Sequence, residues 1–148
     1  MATALTLALI PCLLAFTVLI HYEVLRWTGS YLTRLRIRPR QRILVVIAAC
    51  LTAHLLEVLL YATVFAMLFH FPAFGSIAGE FSGTFVDFFY FSLTTYTTLG
   101  IGEIYPMGPL RLVVGIEALN GLLLITWSAS FCYLNMQNDW HPETPGQA

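Results

Sequence analysis

The chain has 148 residues, of which 58% are hydrophobic and only 10% charged, and its formal net charge is −1. Soluble domains carry about 25% charged residues, so this composition excludes an ordinary soluble fold and points to a membrane protein. The near-zero charge excludes a nucleic-acid footprint. Cys12, Cys50 and Cys132 each lie inside an apolar run with no CxxC spacing, which predicts buried thiols rather than a disulfide or metal framework.

In chain order, residues 1–27 read as a first unit. Ala2 to Ile20 is uncharged and long enough to cross a bilayer. No basic residue precedes it, so it reads as an uncleaved span, kinked at Pro11. His21, Tyr22 and Glu23 follow, then Arg26 and Trp27 at an interface. Residues 28–42 read as a basic loop containing Arg34, Arg36, Arg38, Arg40 and Arg42. The positive-inside rule places that loop in the cytoplasm. A voltage-sensing helix is excluded by the every-second-residue spacing and by Pro39. The five arginines are candidate contacts for anionic lipid headgroups.

Residues 43–69 form a second predicted span, interrupted by His54 and Glu57, and a loop with three glycines covers 70–83. Phe85 to about Tyr96 predicts a short helix with Asp87 in its first turn and Ser82 or Thr84 as its cap. It is too short to cross and must re-enter, which is tolerated where backbone lines a cavity or packs in protein. Thr97-Thr98-Leu99-Gly100-Ile101-Gly102-Glu103 follows. Glycine takes positive φ at little cost, and such alternation can turn successive carbonyls to one side. Gly108-Pro109 opens a third span over 109–136, which carries Glu117, Asn120 and Ser128; residues 137–148 form a short polar tail.

His54 and Glu57 are three apart and share a helix face, and Glu117 reaches a similar depth on the third span. The three predict a buried polar cluster linking the two spans, either a fixed staple or a pH-sensitive gate. Leu122, Ile125, Ala129 and Tyr133 fall on one stripe of the third span. His21, Glu23, His54, Glu57 and Glu117 form no HExxH or ExxH pattern, so no catalytic residue is assigned and an enzyme is not expected.

The run from Thr97 to Pro106, TTLGIGEIYP, resembles the T-T-V-G-Y-G-D-x-Y-P signature of potassium channels. The similarity covers roughly residues 43 to 136 and is greatest to small prokaryotic channels of the two-transmembrane pore-loop type. It implies a pore domain over 43–136, with outer helix 43–69, pore helix 85–96, filter 98–102 and inner helix 109–136. The implied assembly is an all-α homotetramer of chains with three transmembrane helices and a re-entrant pore loop. Permeant K+ would be held mainly by carbonyls of Thr98, Leu99, Gly100 and Ile101, with Gly102 closing the filter and no organic cofactor. The resemblance makes Thr97 and Glu103 filter support and outer mouth, Gly121 a gating hinge, and Leu122, Ile125, Ala129 and Tyr133 the cavity lining. Leu99 and Glu103 replace Val and Asp of the signature, and Ile101 replaces an aromatic ring that packs behind the filter. Alternatives are therefore a cation channel of relaxed K+/Na+ selectivity, or a nonconducting scaffold or sensor with the channel fold. The expected location is the cell membrane, with the N-terminus outside and the C-terminus cytoplasmic. The first helix is expected to pack outside the second span.

Overall fold

In the computed structural model, residues 2–34 and 37–140 are described; Arg36 and the tail beyond Trp140 lie outside them. Three helices of 31 residues dominate: α1 (Ala2–Leu32), α2 (Pro39–Phe69) and α4 (Leu110–Trp140). Each is about 46 Å long at 1.5 Å per residue, more than the ~30 Å hydrocarbon core. All three are apolar enough to cross a membrane. A short helix, α3 (Phe85–Tyr96), lies between α2 and α4.

The first helix runs further than its uncharged stretch predicts. Glu23, Arg26 and Trp27 do not end it, because they satisfy one another on its surface. Arg26 donates to Glu23 at 2.7 Å and Trp27 Nε1 donates to it at 2.9 Å. Such i,i+3 and i,i+4 pairs support a helix. Of the expected basic loop of 28–42, residues 28–32 thus belong to α1 and 39–42 to α2. Arg38 takes an extended conformation before Pro39, as a residue preceding proline must, and Pro39 starts α2. Arg40 and Arg42 thus stand on the first turn of α2, and Arg42 Nη2 lies 3.4 Å from the Leu32 carbonyl at the end of α1. At the other end, α4 continues through 137–140, which the sequence assigns to the tail.

Burial on α1 follows one stripe: Thr6, Leu13, Thr17, His21, Leu25, Thr28 and Leu32. That stripe meets α2, outside which the first helix is expected to pack, and also α4; Asn120 of α4 donates to Thr17 of α1 at 2.8 Å. The main core joins Val58, Tyr61, Ala62 and Phe65 of α2 to Phe88, Phe91 and Tyr96 of α3 and Val113 of α4.

The fold is not wholly helical. Within the expected loop of 70–83, β1 (Ser76–Gly79) pairs antiparallel with β2 (Ile104–Met107), Ser76 opposite Met107 and Gly79 opposite Ile104. Four-residue strands carry almost no sequence signal, and these form because each finds the other. Gly79 is required there: at φ +102, a Cβ would stand 1.8 Å from the Glu103 carbonyl oxygen.

Candidate functional site

The loop after α3 is held at both ends. At the helix start, Thr84 Oγ accepts from the Asp87 N–H at 3.3 Å, and the Asp87 carboxylate accepts from the Thr84 and Ser82 N–H groups at 3.0 Å each. These backbone donors, Thr84 first, hold the Asp87 carboxyl below its ordinary range. At the helix end, the Thr94 carbonyl accepts from both Leu99 N–H, at 2.9 Å, and Gly100 N–H, at 3.2 Å. Beyond the loop, Tyr90 donates to Glu103 Oε1 at 2.6 Å, which raises the Tyr90 phenol above its ordinary value. Glu80 N–H donates to the Glu103 carbonyl at 2.9 Å, extending the strand pair.

Between these anchors φ is positive at every second residue: Thr98 (58°), Gly100 (51°) and Gly102 (91°). Thr98 is the one non-glycine residue with positive φ among the described residues. The residue type did not signal this, because threonine is disfavoured there. Residues 97–103 are all exposed in the single chain. A cavity of about 150 Å3 lies between the loop and α3, with Tyr90, Thr94, Gly100, Ile101 and Glu103 in its wall.

Immediately inward, Tyr96 joins a buried polar network. Its hydroxyl bonds to Glu57 Oε2 and lies 2.9 Å from His54 Nδ1. His21 Nδ1 lies 3.0 Å from Glu57 Oε1, and His54 Nδ1 lies 3.3 Å from Oε2. Ser128 Oγ bridges the far nitrogens of His21, at 3.3 Å, and His54, at 3.0 Å. Glu57 and His21 are fully buried. The network therefore spans all four helices.

His54 and Glu57 come together, but Glu117 does not join them. Its Oε1 accepts from Ser92 of α3 at 2.6 Å, while Oε2 has no hydrogen-bond partner among the described residues. The cluster's tie to the third span is Ser128 instead, and Asn120 of the same helix donates separately to Tyr61 of α2 at 3.3 Å. Sequence reasoning left His21 out of the polar cluster and gave Tyr96 no role. The signal that could have found His21 is its place on the α1 stripe, four residues after Thr17.

Gly121 packs on the end of α3: a Cβ there would lie 2.1 Å from the Tyr96 carbonyl oxygen. Leu122, Ile125, Ala129 and Tyr133 are exposed on α4. Arg34, Arg38, Arg40 and Arg42 cluster at the α1–α2 turn, the last close to a backbone carbonyl.

A short capped helix, a loop of alternating positive φ and flanking apolar helices define a pore-loop membrane protein. Residues 53–138, more than half of the chain, match the family model described as "Ion channel", and the chain belongs to that family. It is a multi-pass membrane protein. Among curated proteins it is similar to the inward rectifier potassium channel Kirbac3.1 of Paramagnetospirillum magnetotacticum. The identity is 44% over 52 residues, covering 34% of this chain and 18% of that relative. The chain thus aligns with less than a fifth of the relative's length. No solved structure matches it at a significant level.

Proposed function

We propose that four copies of this chain form a potassium-selective channel in the cell membrane, with Thr98 to Gly102 as its filter. The observation that carries this reading is the positive φ at Thr98, Gly100 and Gly102 directly after α3. Alternating backbone of this kind turns carbonyls to one side, and a ring of four such rows replaces the water shell of a cation. One chain supplies one row, so closed fourfold symmetry follows. K+ rests mainly on carbonyls of Thr98, Leu99, Gly100 and Ile101. Thr97 and Glu103 support the filter, Gly121 and its contact with Tyr96 set how α4 can bend, and Leu122, Ile125, Ala129 and Tyr133 face the inner cavity. The arginines at the α1–α2 turn put that turn in the cytoplasm, beside anionic headgroups, with the N-terminus outside. Glu80 and Glu103 then stand at the outer mouth and attract cations.

The test is flux of K+ and Na+ from purified protein in liposomes. No atom lies within 4 Å of a Cβ built on Gly100, so Gly100→Ala strains the positive φ without a clash inside the chain. The expected result is loss of K+ flux, since left-handed backbone costs an L-residue about 1–2 kcal/mol in each of four copies. A conducting Gly100→Ala rejects the filter; a silent parent leaves a nonconducting scaffold. The cavity beside Ile101 favours a second reading, a filter held loosely and of relaxed K+/Na+ selectivity. Ile101→Tyr then raises K+/Na+ discrimination, and a parent that already excludes Na+ and is unchanged by the substitution removes that reading.

A further inference from the structure

The network around Glu57 is short of positive charge. Its six short contacts link Glu57 to His21, His54 and Tyr96, His54 to Tyr96, and Ser128 to both imidazoles. With neutral rings, four hydrogens are available: one on each imidazole, one on the phenol and one on the serine. Ser128 can satisfy both Nε2 atoms only if at least one imidazole carries its hydrogen there. That ring's Nδ1 lone pair then faces the Glu57 carboxylate. With Glu57 ionised, every assignment leaves lone pair against lone pair, and one more cation, a proton or a metal ion, is needed.

We propose that His21, His54 and Glu57 form a site for a divalent transition metal of the zinc type. Two imidazoles and a carboxylate are the donors such ions take, whereas Mg2+ and Ca2+ prefer all-oxygen sites. The spacing fits. An ion at about 2.0 Å from tetrahedral ligands holds them about 3.3 Å apart. His21 Nδ1 and His54 Nδ1 lie 3.0 and 3.3 Å from the two Glu57 oxygens, and the three residues offer donor atoms all within 4.8 Å of one another. Tyr96 Oη, 2.9 Å from His54 Nδ1, or a water in its place, supplies the fourth ligand. Ser128 then accepts from both Nε2–H groups and fixes the rings so that each Nδ1 lone pair faces the ion, an outer-shell arrangement usual at histidine metal sites. Entry is from the side: a cavity of about 370 Å3 between α2 and α4 has His54, Tyr96 and Ser128 in its wall. The ion ties α1 and α2 to the last residue of α3, one residue before Thr97. The site stands on its ligands alone and does not depend on what the pore conducts.

The experiment uses the full chain, chelator-washed in detergent, with CoCl2 and ZnCl2 as probes. Cys50→Ser and Cys132→Ser remove thiols that stand 4.0 Å apart and could bind the same ions. The expected result is one Co2+ per chain with the intense visible absorption of a tetrahedral site, displaced by Zn2+. Glu57→Gln and His21→Gln each weaken binding at least about tenfold, and Ser128→Ala about tenfold, as outer-shell losses do. X-ray absorption of the zinc-loaded parent, cysteines intact, is expected to give nitrogen and oxygen neighbours at about 2.0–2.1 Å; a sulfur shell at about 2.3 Å overturns the assignment. Substoichiometric binding by the parent, or undiminished binding in His21→Gln, also overturns it and assigns the missing charge to a proton. Should the substitutions prevent folding, the parent's stoichiometry and spectrum decide alone.

Discussion

The loop over 97–103 and the network around Glu57 meet at Tyr96, yet they are built by opposite means. In the loop the backbone is the working part: its side chains are exposed, and its shape depends on φ at three positions. In the network the backbone is ordinary helix, and side chains from four helices join around one buried carboxylate, Ser128 through the two imidazoles. A backbone device is written in adjacent residues. A side-chain device of this kind exists only once distant segments have packed. The first should therefore fail through local conformational change and the second through loss of the fold.

Glu57→Ala draws that line most sharply. It removes the carboxylate that His21, His54 and Tyr96 share, and breaking a buried ionic group costs about 3–5 kcal/mol. The expected outcome is a large fall in thermal stability in detergent; a variant as stable as the parent would show that the network does not hold the helices together. Gly121→Ala comes next, because its methyl group meets the Tyr96 carbonyl. Overpacking of this kind costs about 1–3 kcal/mol. A melting curve reads the loss, and an unchanged one means that α4 can move away from α3 freely.

The smallest effects lie at the start of α3. Thr84→Ala removes one cap and should cost about 1 kcal/mol, measured by hydrogen exchange in the first turn of α3. Asp87 adds a pH dependence of known sign. Its folded pKa lies below the ordinary value, so its contribution is complete above the unfolded pKa and is lost as pH falls through the folded one. Protection of the Ser82 and Thr84 amides is therefore expected to fall in acid, and Asp87→Asn should remove that dependence.

The same contrast governs what the sequence allowed. The three long apolar helices were legible because mean hydropathy over a span needs no partner. The end of α1 was not, because Glu23, Arg26 and Trp27 look like a boundary until they are seen bonded together. The glycine run announced itself through residues that tolerate positive φ, and Thr98 escaped because threonine ordinarily avoids it. His54 and Glu57 could be paired by their spacing of three. Their bonds to His21 and Tyr96 could not, since those partners lie 36 and 39 residues from Glu57. Equal depth suggested Glu117 as their partner, but depth does not fix azimuth, and its carboxylate turns toward Ser92 instead.

The ribbon of β1 and β2 has a mechanical consequence. Ser76 follows α2 closely and Met107 lies just before α4, and the two stand opposite each other in the sheet. A lateral pull that separates the end of α2 from the start of α4 is carried in part by this ribbon, whose hydrogen bonds share the load. Everything from α3 to Gly102 hangs within the closed loop beyond it. Tension that parts α2 from α4 therefore acts on the glycine run by two routes, through the ribbon and through the packing of α3 against both helices.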